Sequence, residues 1–145
     1  MLFRSHEGGV AVIAAALLSV TLCVPPPASA DVDGILWAIA KVESNHRDSA
    51  VGDGGAAIGR YQIHRAYWQD AVQYDPSIGG VYEDCKKPEY ARRVVIAYMS
   101  RYAKNWDVST VAGIHNGGRL GYKSQATAKY RQKVETAYAD HGTGR

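Results

Sequence analysis

The chain has 145 residues, 17 Lys and Arg against 14 Asp and Glu, a formal net charge of +3, and 46% hydrophobic residues. This length suits one ordinary domain, and the composition excludes a disordered, collagen-like or coiled-coil protein. The positive charge is mild and no basic run exceeds two residues. We therefore expect no nucleic-acid binding, whereas weak attraction to an anionic surface such as a cell envelope is allowed.

The first 30 residues have the organisation of a secretory signal peptide. Arg4 precedes an uncharged, mostly apolar run of 15 residues, Val10–Val24, and the small residues Ala28-Ser29-Ala30 follow three prolines. A charged start, an apolar middle and a small-x-small box predict cleavage after Ala30. The run is shorter than the roughly 20 residues of a membrane span, so an uncleaved anchor is the less favoured alternative. We expect one folded domain, residues 31–145, with no membrane attachment once the signal is removed.

Cysteine usage limits how the domain is stabilised. Cys23 leaves with the signal, and Cys85 is then the remaining cysteine. One cysteine forms no internal disulfide and no thiolate zinc site, and His46, His64 and His115 lack metal-ligand spacing. The sequence therefore predicts no metal and no cofactor, and a fold that depends on packing.

The first predicted elements are a helix and a glycine-rich stretch. Asp33 is a suitable N-cap for a helix over residues 34–45, with Ile35, Leu36, Ile39 and Val42 at helical spacing on a buried face. The stretch 47–59 contains four glycines but lacks the Gly-Lys-Ser/Thr ending of a phosphate loop. A short extended piece follows at 60–63. If the domain contains β-structure, we expect a small hairpin in this region.

The rest of the chain is predicted to be helical. Helices are expected over residues 65–73 and 88–104, and Pro88 suits the first position of the second of these. A short helix begins at Asp107 or Ser109 and ends at Asn116-Gly117-Gly118, and a last helix covers 124–139. The predicted fold class is therefore mainly α.

Tyrosine and tryptophan dominate the aromatic residues. The expected mature chain has ten Tyr, three Trp and no Phe. Such rings have an apolar face and a polar edge, which suits the margins of a groove that binds sugar rings. For any single ring, a place in the half-buried core is the favoured alternative.

Two carboxyl groups are candidates for acid–base chemistry. Glu43 lies in the last turn of the first apolar helix, where low polarity favours a protonated carboxyl group and hence a general acid. Asp53 lies between glycines in a wetter loop. Two carboxyl groups in unlike environments can split a glycosidic bond. Taken alone, an exposed helix-terminal Glu43 and a turn-forming Asp53 are the favoured alternatives.

These residues belong to a longer pattern that resembles the lysozyme-like superfamily, from which the two-carboxyl arrangement is itself taken. Glu43-Ser44 followed by Gly59–Ile63 resembles the Glu-Ser … Gly-x-x-Gln-Ile signature of soluble lytic transglycosylases and goose-type lysozymes. Invertebrate-type lysozymes are more similar still. Their further segments are matched, in order, at 67–70, Tyr98–Tyr102 and His115–Gly118.

The resemblance covers nearly all of residues 34–134, with three departures. Invertebrate-type lysozymes are disulfide-dense, whereas this chain keeps one cysteine after signal removal, which suggests a bacterial relative. Arg119 stands where the family has proline. Asp53 matches the second carboxylate of the family only with a one-residue gap before Gly59.

The resemblance implies an α+β lysozyme-like catalytic domain with a groove. Its expected partner is the glycan strand of peptidoglycan, cleaved at the β-1,4 bond between N-acetylmuramic acid and N-acetylglucosamine by Glu43 and Asp53. Substrate-binding roles are implied for six further residues: Ser44, Tyr61, Gln62, His115, Asn116 and Gly117.

Four of these six residues also have an ordinary structural explanation. Gln62 and Asn116 could satisfy backbone groups at the ends of elements, Gly117 could end a helix, and His115 could form a hydrogen bond in the core. Two other functions stay open. One is a lytic transglycosylase, which uses the Glu alone and leaves anhydro products. The other is a non-catalytic cell-wall-binding module. We expect a secreted or periplasmic monomer.

The signal-peptide interpretation predicts that the mature protein begins at Asp31, because Ala28-Ser29-Ala30 forms the cleavage box. N-terminal sequencing of the exported protein should therefore return Asp31 as the first residue. A protein whose sequence starts before Val24 would instead retain the segment as an anchor.

Overall fold

The computed structural model describes residues 23–27 and 30–144. The apolar run up to residue 22 and two residues of the predicted cleavage box lie outside the described residues, so signal cleavage stays a prediction. The described part contains five α-helices: α1 Val32–Ser44, α2 Arg65–Tyr74, α3 Pro88–Tyr102, α4 Val108–Gly117 and α5 Ala128–Gly142. It also contains three two-residue strands: β1 Val51–Gly52, β2 Ala57–Ile58 and β3 Ile63–His64. The predicted mainly α fold class is confirmed.

The strands form a small antiparallel sheet in the order β1-β2-β3. Ala57 pairs with Gly52 on one side and with His64 on the other. The sheet has one strand more than the predicted hairpin, because the chain turns back after Gly59 and pairs a second time. The Tyr82 hydroxyl lies 2.7 Å from the Ile63 carbonyl oxygen and 3.0 Å from that of Ala56, and so ties the sheet to the following loop.

The first helix begins two residues earlier than predicted, which corrects the expected cap. The side chain of Asp31, not that of Asp33, accepts the hydrogen bond from the Gly34 amide. Asp33 lies in the first turn, where its charge suits the positive end of the helix. Its carboxylate pairs with Arg92 of α3. The expected buried face is confirmed at Ile35, Leu36 and Ile39, while Val42 is only partly buried against the same core.

The later helices differ from the predictions mainly at their ends. Asp107 caps α4 by accepting from the Thr110 amide, which decides between the two expected starts. The last helix begins at Ala128 rather than at 124, because Ser124 caps a separate 3-10 turn over Gln125–Thr127. The loop between α2 and α3 contains two further 3-10 turns, Pro76–Ile78 and Tyr82–Lys86.

The core lies among the helices and reaches under the sheet. Its largest fully buried side chains come from all the helices except α2 and from two intervening segments: Ile39, Ile63, Met99, Ile114, Val94, Val95, Val111, Val134 and Cys85. Burial raises the pKa of the Cys85 thiol to about 12, so this group is a packing residue rather than a nucleophile. Within the part of the chain that the structure describes, no helix is long and apolar enough to cross a membrane.

Candidate active site

A cleft of about 330 Å³ separates the helices from the small sheet. One wall carries Glu43 at the end of α1 together with His115 and Asn116 at the end of α4. The opposite wall carries Asp53, Gln62 and His64. The lining residues are Glu43, Asp53, Gln62, His64, His115 and Asn116. Five of the eight predicted site residues therefore meet in one place, although they come from four segments of the chain.

Glu43 is largely enclosed, with 19% of its side chain exposed. Its Oε1 accepts a 2.6 Å hydrogen bond from the Tyr130 hydroxyl of α5. Burial and the neighbouring Glu43 raise the pKa of Tyr130, so its hydroxyl stays protonated and acts as a donor. The carboxyl group is thus held on one oxygen and faces the cleft.

His115 is buried beside Glu43, and its contacts determine which ring nitrogen carries the hydrogen. Burial lowers its pKa, opposed in part by Glu43 and by the Tyr61 carbonyl, so the ring is neutral near pH 7. Nε2 lies 2.9 Å from the Tyr61 carbonyl oxygen, which only accepts, so Nε2 carries the hydrogen. Nδ1 then accepts from the Tyr67 hydroxyl at 3.3 Å. The same Nε2 lies 3.6 Å from Glu43 Oε1.

The opposite wall is more exposed. Asp53 begins a 3-10 turn and 69% of its side chain is exposed, while 52% of the His64 side chain is exposed. His64 Nε2 lies 2.8 Å from Asp53 Oδ2. Gln62 adopts a left-handed φ of 50° and donates to the Gly59 carbonyl oxygen at 2.9 Å, and Asp53 has a φ of 48°. Non-glycine residues in this region of φ are strained and often lie at functional sites.

Three of the predicted substrate-binding residues do not line the cleft. The buried Ser44 hydroxyl donates to the Arg60 carbonyl and accepts from the Arg47 amide, so it ties α1 to the glycine-rich stretch rather than to Glu43. The Tyr61 side chain is buried, and its carbonyl oxygen supports His115. Gly117 is exposed next to Asn116. Direct contacts of these three with substrate stay predictions.

The tyrosines mostly occupy the core, which favours the alternative weighed for them above. Among the described residues, no aromatic side chain other than histidine lines the cleft. Tyr67 stacks on Tyr98 with ring centroids 3.7 Å apart, and burial raises the pKa of both hydroxyls. The cleft wall is therefore polar, and the aromatic layer behind it positions the wall.

A larger cavity of about 560 Å³ lies where Val24–Pro27 approaches Tyr74 and Trp106. Its lining contains no carboxylate, amide or histidine, so it lacks the groups that acid–base chemistry needs. Across the described residues, no group of three or more His, Cys, Asp or Glu side chains is placed to hold a metal ion.

Comparison with known proteins identifies the family. The Destabilase family model matches residues 33–137. The chain belongs to the Destabilase family. The match includes the whole cleft, from Glu43 to Tyr130. A comparison with curated proteins gave no match.

Similar solved structures agree with this family. The crystal structure of Aeromonas hydrophila PliI in complex with Meretrix lusoria lysozyme matches with a TM-score of 0.65 and 31% identity, over 75% of this chain and 92% of that one. The Tapes japonica lysozyme matches with a TM-score of 0.60 and 27% identity, over 70% and 86% of the two chains.

The lytic transglycosylase Slt from Pseudomonas aeruginosa, an inactive mutant, has a TM-score of 0.65 at 16% identity, over 77% of this chain and 21% of that one. It shares the fold alone. The predicted resemblance to invertebrate-type lysozymes, and in fold to transglycosylase domains, is confirmed.

Two residues of the site were missed from the sequence. His64 lines the cleft two positions after Gln62, but the left-handed φ of Gln62 interrupts the extended chain, so no strand alternation relates the two side chains. Tyr130 lies 87 residues from Glu43, and no local pattern links them.

The buried, neutral His115 should make the protein less stable in acid. Its folded-state pKa is lowered from the ordinary 6.5, so as the pH falls below that value the unfolded chain binds a proton that the folded chain does not. The free energy of unfolding should therefore decrease between pH 7.5 and pH 5.5, as measured by urea unfolding. A His115→Gln variant keeps a side-chain N–H donor and should lose part of this decrease.

His46 serves as the internal comparison for this measurement. Its pKa is also lowered, first by burial and then by Arg60 and Lys41, so it contributes a decrease of the same sign. A His46→Gln variant should remove its own share and leave that of His115. An unchanged pH dependence in His115→Gln would contradict the neutral, buried assignment.

Proposed function

We propose that this protein is an exported muramidase that hydrolyses the β-1,4 bond between N-acetylmuramic acid and N-acetylglucosamine in peptidoglycan glycan strands. The prediction of a lysozyme-like glycosidase is confirmed by the family and by the lysozyme structures. The bond and the residue roles are our proposal. The observation that carries it is the enclosed Glu43, held by Tyr130, facing Asp53 across one cleft.

Glu43 is proposed as the general acid. Because Oε1 receives the Tyr130 hydrogen bond, the transferable proton belongs on Oε2. Protonation of the glycosidic oxygen lets the leaving sugar depart as an alcohol while positive charge develops on the other ring. Afterwards the same carboxylate accepts a proton from water, which restores the acid.

Asp53 is proposed as the second carboxylate. It is exposed to solvent on the wall opposite Glu43, and its Oδ2 lies 2.8 Å from His64 Nε2. An ionised carboxylate there either attacks the sugar or activates a water molecule on its far face. Asn116, Gln62 and His115 are proposed to contact hydroxyl or N-acetyl groups of the glycan from the two walls.

We also propose that the protein is exported and that it is a monomer. The mature domain starting at Asp31 keeps the cap of α1, since that carboxylate accepts from Gly34 and from the Tyr138 hydroxyl. The net charge of +3 favours approach to an anionic wall. We expect a secreted or periplasmic protein.

Glu43→Gln should abolish glycan cleavage while the fold is kept. Gln has the shape of Glu but no transferable proton, and general acid catalysis contributes roughly 10²–10⁴-fold to rate. Release of soluble fragments from purified peptidoglycan measures the loss, and circular dichroism checks the fold. A folded Glu43→Gln variant with near wild-type turnover would remove this mechanism. Wall binding without release by the wild type would indicate a binding module.

Asp53→Asn separates the hydrolase from the transglycosylase. A hydrolase needs the second carboxylate, so the variant should lose most hydrolysis, whereas a transglycosylase uses the 6-hydroxyl of the substrate and needs no such group. Mass spectrometry of wall fragments should find reducing ends from the wild type. If the Asp53→Asn variant stays active and the products carry anhydro ends, the lysozyme assignment is wrong and the transglycosylase assignment replaces it.

A further inference from the structure

The second carboxylate lies on a turn that does little to fix its direction. Asp53 has a φ of 48°, and Gly54 and Gly55 follow with φ of 64° and 101°. Within the turn the Ala56 amide donates a 3.2 Å hydrogen bond to the Asp53 carbonyl, and the paired residues Gly52 and Ala57 flank it. With most of its side chain exposed, an Asp in this place would sample several rotamers in water.

His64 lies on a strand whose backbone is fixed by sheet pairing and by a buried neighbour. Its neighbour Ile63 is fully buried, and the Ile63 carbonyl accepts from the buried Tyr82. The His64 backbone pairs with Ala57 in the sheet. The imidazole therefore projects from a fixed strand into the cleft that it lines.

One side-chain hydrogen bond joins His64 on strand β3 to Asp53 on the turn. Because an ionised carboxylate only accepts, the hydrogen in the 2.8 Å contact belongs to His64 Nε2 and is donated to Asp53 Oδ2. This selects one direction of the carboxylate and leaves Oδ1 for the cleft. An exposed contact of this kind contributes little to stability, so its effect is expected in the orientation of Asp53.

We propose that His64 is a positioning residue that acts through Asp53, holding its carboxylate in the orientation that glycan cleavage requires. The proposal rests on the proposed function of the cleft. It assigns to this chain a histidine–carboxylate pair on the sheet wall, opposite the acid. His64 transfers no proton to the substrate in this role, and its loss should reduce the rate of the chemical step rather than substrate binding.

The kinetic test uses three variants and a soluble peptidoglycan fragment. His64→Ala removes the donor and should lower kcat about tenfold with KM within about twofold, since misorientation of a reacting group slows the chemical step. His64→Gln keeps an N–H donor at similar reach and should recover most of kcat. Glu83→Gln breaks the exposed Arg65–Glu83 pair of the same lobe, outside the cleft lining, and should leave both constants unchanged.

The double variant decides whether His64 acts through Asp53. In an Asp53→Asn background, adding His64→Ala should cause no further loss of kcat, because the group that His64 positions is already gone. Losses that multiply in the double variant would overturn the proposal. A rise in KM with kcat unchanged would overturn it too, since it would make His64 a substrate-binding residue.

A structural measurement keeps this proposal separate from the proposed function. In NMR spectra, the three-bond Hα–Hβ couplings of Asp53 should indicate a single rotamer in the wild type and in His64→Gln, and averaged rotamers in His64→Ala. A wild type that releases no wall fragments would contradict the proposed function, while these couplings would still decide on positioning. Equal couplings in all three proteins would overturn the positioning role.

Discussion

The site depends on one enclosed carboxyl group, that of Glu43, which three helices surround. A carboxyl group that leaves water needs hydrogen-bond partners in the protein in place of its hydration. At Glu43 that partner is the Tyr130 hydroxyl of α5 at 2.6 Å, and His115 Nε2 of α4 lies 3.6 Å away. Since α1, α4 and α5 each contribute one member, the site forms only when all three helices are packed together.

The local half of this site was predictable from the sequence. The apolar spacing around Ile39 indicated the helix whose last turn carries Glu43. The glycine-rich stretch indicated the turn on which Asp53 lies. The cap was misplaced because Asp31 and Asp33 both precede good helix-forming sequence, and the choice depends on which carboxylate reaches the Gly34 amide.

The long-range half was not predictable from spacing. The Tyr67 and His115 rings that meet behind the cleft are 48 residues apart, and strands of two residues carry no alternation to detect. The location of the tyrosines was also ambiguous in the sequence, because the same ring suits a sugar-binding groove or a core position with one hydrogen bond. Tyr61, Tyr67 and Tyr98 pack in or against the core. A local sequence pattern does not indicate whether such a ring will lie in the core or in a groove.

The two walls of the cleft differ in how they hold their carboxyl groups. Glu43, the proposed acid, is 19% exposed and is held by the Tyr130 hydroxyl. Asp53, the proposed second carboxylate, is 69% exposed. Packing fixes the orientation of the Glu43 side chain, whereas the exposed Asp53 side chain has little packing to fix its orientation. On the helix wall, burial orients the carboxyl group. On the sheet wall, the carboxylate of Asp53 needs a hydrogen bond from a well-ordered strand, and His64 on β3 is placed to donate it.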